Sequence, residues 1–140
     1  MRSVVFAVAV TCWAGLQSTS LQADDKLGKL FVKASPTVSD GQEFKDEEKE
    51  ASANDIKKNA HDWIVVETQD EADYTLNVVE RRQTNNVDAE VVATVSVKEN
   101  GKWVPGTRVT GRGSGFTRWG ICARRLLGNL GKWVSERNKK

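Results

Sequence analysis

Histidine is almost absent from this chain of 140 residues: His61 is the only one. A serine or cysteine triad would need that single imidazole as its base. A tetrahedral metal site would need a cluster of His, Cys or carboxylate ligands at fixed spacing, and no such spacing occurs. Cysteine is nearly as scarce, with Cys12 and Cys122 alone. Proline appears twice, at Pro36 and Pro105, so there is no proline-rich linker. Long apolar runs are missing too. The run of note is Val4–Leu16, 13 residues, whereas a membrane-spanning helix needs about 20. The motifs call for no cofactor and no metal.

That short run has a different use. Arg2 precedes it as a positive n-region, and a polar stretch with small residues, QSTSLQA, follows. Together they predict a secretory signal peptide over residues 1–23, cleaved after Ala23, with Ser20 as the alternative site. The expected product is an exported α+β domain, residues 24–140, periplasmic or secreted, with no membrane-spanning segment. It keeps one cysteine, Cys122, so an internal disulfide is excluded. A chain of this length holds a modest core without such a staple.

The expected mature chain has 20 basic and 19 acidic side chains, but they are unevenly placed. Residues 40–73 carry 12 acidic against 4 basic side chains, and residues 98–140 carry 11 basic against 2 acidic. One reading is two solvated faces. The other is a basic surface for an anionic partner. In an exported protein that partner would be lipid headgroups, cell-wall polymer or an acidic protein; nucleic acid is disfavoured.

The pattern along the chain predicts the elements. Lys29–Ala34 reads as a strand ending before Pro36. Residues 37–44 read as loop, with turn chemistry at Ser39-Asp40-Gly41. Residues 46–61 read as a surface helix with acidic residues early and Lys57 and Lys58 late. Trp63–Thr68 reads as a strand whose unbroken apolar core is the mark of burial on both faces. Tyr74–Arg81 alternates, placing Tyr74, Leu76 and Val78 inward and Thr75, Asn77 and Arg81 outward. Residues 89–98 show the clearest period of two, and Asn100-Gly101 then signals a type I′ hairpin. Lys102–Gly113 returns as an edge strand, with a bulge at Pro105-Gly106. A terminal helix over about 117–137 places Trp119, Ala123, Leu126, Leu130, Trp133 and Val134 on one face, with Cys122 and Leu127 at its edges. The expected fold is a single small α+β domain. Its mixed sheet has four to five strands in the order β-α-β-β-β-β-α, with both helices on one face.

Three constellations invite chemistry. Gly111, Gly113 and Gly115 precede the terminal helix and resemble a phosphate loop. They lack the Gly-Lys-Ser/Thr ending and the Gly-x-Gly-x-x-Gly spacing, so bulge and tight-turn roles are expected for them. Asp70, Glu71 and Asp73 offer paired carboxylates for a hydrolase, but sit where acidic residues commonly serve turns. No residue is assigned to catalysis. Trp103, Arg108, Arg112, Arg118, Arg124 and Arg125 form the candidate binding surface, with Trp119 and Trp133 expected in the core.

The word Ala72-Asp-Tyr-x-Leu-x-Val78, the element order and the helix Ala123–Trp133 resemble small α/β domains of bacterial envelope proteins of the CsgG, LpoB and TolB N-terminal type. That resemblance implies a non-enzymatic role in envelope assembly or protein contact. The expected function is therefore an exported binding or assembly domain that contacts another envelope component. The alternative is a binder of anionic polymer or lipid headgroups, and a hydrolase ranks last.

Overall fold

The alternation that runs through residues 74–114 builds the centre of the structure. The computed structural model describes residues 26–139; the expected signal peptide lies outside the described residues. Strands β1 (Lys29–Ala34), β2 (Thr37–Ser39) and β3 (Gln42–Phe44) are followed by helix α1 (Glu47–Asn59) and β4 (Ile64–Val65). A 3₁₀ turn (Gln69–Glu71) leads into β5 (Tyr74–Gln83), β6 (Asp88–Glu99), β7 (Lys102–Ser114) and helix α2 (Arg118–Asn138).

The main sheet has the order β4-β1-β5-β6-β7. Its β1 pairs in parallel with both β4 and β5, through the β1–α1–β4 crossover, and β6 and β7 return antiparallel. Both helices pack on the same face and on each other. The α+β architecture is thus as the pattern predicts.

Burial explains the arrangement. Ala89, Val91, Ala93, Val95 and Val97 all point from β6 into the core, as do Tyr74, Leu76 and Val78 from β5. Helix α2 buries Leu126, Leu127, Leu130 and Val134, whereas α1 buries one large aliphatic side chain, Ile56. Each such burial stabilises by about 1.5–3 kcal/mol, so α2 is the main seal of the sheet. Cys122 is fully buried rather than marginal, while Trp119 and Trp133 are half-buried at the rim.

Several local expectations are corrected. Residues 37–44 are not loop but a two-stranded hairpin turning at Asp40 (φ 52°) and Gly41 (φ 77°). Its strands are three residues each and wholly exposed, so no apolar alternation marks them. The expected strand Trp63–Thr68 shrinks to Ile64–Val65, half-buried at the sheet edge. Trp63 is buried instead by edge-on packing against Tyr74, ring centroids 5.6 Å apart. A bulge between Val78 and Glu80 flips the rest of β5. Arg81 therefore lies on the helix side, 3.9 Å over the Trp119 ring, and not outward with Thr75 and Asn77. The hairpin at Asn100 (φ 52°) and Gly101 (φ 79°) and the irregularity opposite Pro105-Gly106 fall where expected.

Candidate functional site

The face of the sheet away from the helices carries a charged ladder across three strands. Arg82 on β5, Glu90 on β6 and Arg112 on β7 are direct register neighbours. Their side chains meet because residues facing each other across strands share a face. Arg112 Nε donates to Glu90 Oε2 at 2.8 Å, and Arg82 Nη2 donates to Oε1. The Glu90 side chain is 7% exposed, against 56% for Arg82 and 80% for Arg112. A buried carboxylate thus anchors two guanidinium groups that reach into solvent. The hydrogen bond from Arg112, and next that from Arg82, hold the Glu90 carboxyl below its ordinary range against the opposing effect of burial. One row along, Glu80 pairs with Arg82 at 3.8 Å and Arg108 at 3.6 Å.

Helix α2 closes this region at the β7 edge. Arg125 Nη1 donates to the Arg112 carbonyl at 3.0 Å, and Asn129 Nδ2 to the Thr110 carbonyl at 2.7 Å. These bonds satisfy outward carbonyls on an edge strand and blunt it against stray pairing. Between the edge and the β5–β6 turn lies a cleft of about 370 Å³, lined by Arg82, Thr84, Asp88, Glu90, Arg112 and Arg125 among others.

The six sequence candidates are divided. Arg112 and Arg125 line this cleft, whereas Arg108 lines a separate depression with Lys132 and Trp133 and reaches the cluster only through Glu80. Trp103 is on the same open face, but nine residues before Arg112 along β7, about 30 Å away; Lys98 stands 5.3 Å over its ring. Arg118 staples the start of α2, donating to the Gly115 carbonyl at 2.9 Å and to Gln83 Oε1 at 3.3 Å. Arg124 lies on the other side of α2, at a depression shared with Ala60, Asp62 and Trp63. Arg82 and Glu90, which organise the cluster, were not among the candidates. The signal was a lone acidic residue inside the valine-rich alternation of β6, but its partners depend on cross-strand register.

The glycine run has a packing role. Gly111 and Gly113 sit in regular β6–β7 pairs facing α2, not in the expected bulge. A Cβ on Gly111 would overlap the Cys122 carbonyl oxygen and stand 2.7 Å from the Leu126 nitrogen. On Gly113 it would overlap the Arg118 carbonyl oxygen. Gly115, at φ 85°, makes the tight turn into the helix as expected.

The remaining reactive groups are spoken for or isolated. Glu71 accepts from Thr68 Oγ1 at 2.9 Å and Asp73 accepts from the Lys29 amide at 3.1 Å, while at Asp70 it is the backbone carbonyl, not the carboxylate, that accepts from Lys98. Cys122 is buried, its Sγ 3.4 Å from the Ala89 carbonyl, and burial pushes its thiol up. His61 is exposed. Among the described residues no group of three or more His, Cys, Asp or Glu could hold a metal ion, and no helix is long and apolar enough to cross a membrane.

No family model matches the chain, and no curated relative matches it. Among solved structures it is similar to a PelC dodecamer from Paraburkholderia phytofirmans, at 17% identity and a TM-score of 0.42, over 78% of this chain and 88% of that one. It is also similar to a structure described as an uncharacterized protein, at 11% identity and a TM-score of 0.36, over 81% of this chain and 90% of that one. Likenesses this distant carry no functional argument, so the site is read from its own geometry.

Proposed function

We propose that this chain is an exported, non-enzymatic binding domain of the cell envelope or extracellular space, and that its ligand is an anionic polymer or lipid headgroup. One observation carries the reading. Glu90 holds Arg82 and Arg112 by one nitrogen each and Glu80 pairs with Arg82 Nε at 3.8 Å, which leaves Nη1 of Arg82 and both terminal nitrogens of Arg112 for a ligand at the cleft. Arg125 converges on the same place. Guanidinium forks held in advance suit phosphate, sulfate or carboxylate, because their planar donors match those oxygens and little rotamer freedom is lost on binding. The envelope-domain resemblance supports the export and assembly setting. The Thr68 bond of Glu71 and the Lys29 bond of Asp73 weigh against a hydrolase at that position.

The test is titration with soluble polyphosphate and with a uronic-acid polysaccharide at low and near-physiological ionic strength. Affinity should fall as salt rises, because exposed charges are screened. The double variant Arg112→Glu/Arg125→Glu should weaken binding by about tenfold or more. Salt-independent binding, or unchanged affinity in the double variant, would rule the reading out.

A further inference from the structure

Four large apolar side chains stand exposed among the described residues: Val38, Phe44, Val87 and Phe116. All four lie on connections that leave the sheet at one end, where β1 and β5 finish. Phe116 is the extreme case, with its whole surface in solvent at 105% of the reference exposure. Val87 is 53% exposed on the neighbouring β5–β6 turn. These two turns are joined: Asp88 pairs with Ser114, and the Gly115 amide donates to the Val87 carbonyl at 3.0 Å.

This joined pair of turns shares its end of the sheet with the β2–β3 hairpin, which carries Asp40 and Glu43. The last β1–β5 pair is Ala34–Val78, and β5 runs on to Gln83. That extension is about 16 Å at about 3.3 Å per residue. The tip carries no charge, being Thr84-Asn85-Asn86-Val87 on one turn and Gly115-Phe116-Thr117 on the other. Directly behind it stand Arg82, Arg112, Arg118 and Arg125, against two carboxylates, Asp88 and Glu90. The acidic first turn of α1 is set back on the helix side, where Arg81 donates to the Glu48 carbonyl.

An uncharged tip that exposes Val87 and Phe116 ahead of several arginines has the layering of a bilayer surface, acyl boundary first and phosphate next. A hydrated soluble polymer would meet the arginines but offer nothing to Phe116. We infer that the Val87–Phe116 tip inserts into the interface of an anionic phospholipid bilayer while the arginines behind it contact headgroup phosphates. This rests on the anion-binding reading above and gives it a ligand class. Arg118 has a second part in it, because its bond to the Gly115 carbonyl holds the turn that presents Phe116.

The experiment is co-sedimentation of the full chain with vesicles of phosphatidylcholine alone and of phosphatidylcholine mixed with phosphatidylglycerol. Soluble polyphosphate titration runs in parallel. Because every variant shares the same N-terminal region, differences among them report on the tip. The wild type should prefer the anionic vesicles. Phe116→Ser should lose about tenfold in vesicle affinity yet keep its polyphosphate affinity and its thermal midpoint, while Phe116→Leu retains vesicle binding. If Phe116→Ser binds anionic vesicles as the wild type does, or if the wild type binds polyphosphate but not vesicles, tip insertion is overturned and the anion reading stands. If the wild type binds neither, both fall.

Discussion

Gly111 faces Cys122 so closely across the β7–α2 contact that the strand and the helix touch backbone to backbone. The consequence is a sharp contrast between glycines. Gly111→Ala forces α2 off the sheet, and overpacking of this kind costs about 1–3 kcal/mol or more. Gly128 lies on the exposed side of α2 with nothing within 4 Å of an added Cβ. Gly128→Ala should stabilise by about 0.5–1 kcal/mol, since it removes backbone freedom from the unfolded chain and raises helix propensity. Urea unfolding of the two variants beside wild type checks both signs.

Glu90 should make stability depend on pH. Its folded carboxyl ionises below its ordinary value of 4.5, chiefly through Arg112 and Arg82. A carboxyl lowered on folding adds stability above its unfolded value, and that stability is lost as pH falls from there through the folded value. Stability should therefore be level above about pH 6 and decline below about pH 5. Glu90→Gln should flatten that decline without abolishing it, because Asp46 is lowered too, first by the Thr37 hydroxyl and then by the Lys49 amide. Thermal midpoints of wild type and Glu90→Gln from pH 7 to pH 3 give the comparison; equal slopes would count against the Glu90 assignment.

Asp46 couples the hairpin to α1. It caps the helix by accepting from the Lys49 amide at 3.1 Å, and its other oxygen accepts from Thr37 Oγ1 at 2.6 Å. Asp46→Ala should cost about 1 kcal/mol. Hydrogen exchange should speed up most in the first turn of α1 and at Thr37, while β5–β7 amides that exchange only by global opening speed up by no more than about fivefold.

The Cys122 thiol is sealed between α2 and β6, and burial raises its pKa. In native buffer it should react with a maleimide only as fast as the structure opens. Adding denaturant should accelerate labelling in step with loss of the helical signal. Rapid labelling of the native fold, traced to Cys122 by peptide mapping, would show the α2–sheet seal to be looser than the packing described.

Much of the scaffold is legible in the sequence because its signals are local. The β6 alternation, the paired positive-φ residues Asn100 and Gly101, the Pro105-Gly106 irregularity and the stripe on α2 each depend on a few neighbouring residues. The hairpin at 37–44 leaves no such signal because strands of three exposed residues bury nothing. The strand expected over Trp63–Thr68 shrinks to Ile64–Val65 because an apolar run gives no sign of whether a strand has one neighbour or two.

The candidate surface divides along the same line. Residue type and alternation alone placed Arg108 and Arg112 on β7 and marked the C-terminal half as basic. Register and long-range packing decided the rest. The bulge at Val79 turned Arg81 inward and left Arg82 beside Glu90, a shift that no single strand's pattern contains. Gly111 and Gly113 looked like a loop for phosphate, yet their bare Cα atoms serve the approach of α2. Whether a glycine meets a ligand or a helix depends on what the rest of the chain brings against it. Period and turn chemistry act over a few residues, whereas the partners of Glu90 come from strands that meet only once the sheet has formed.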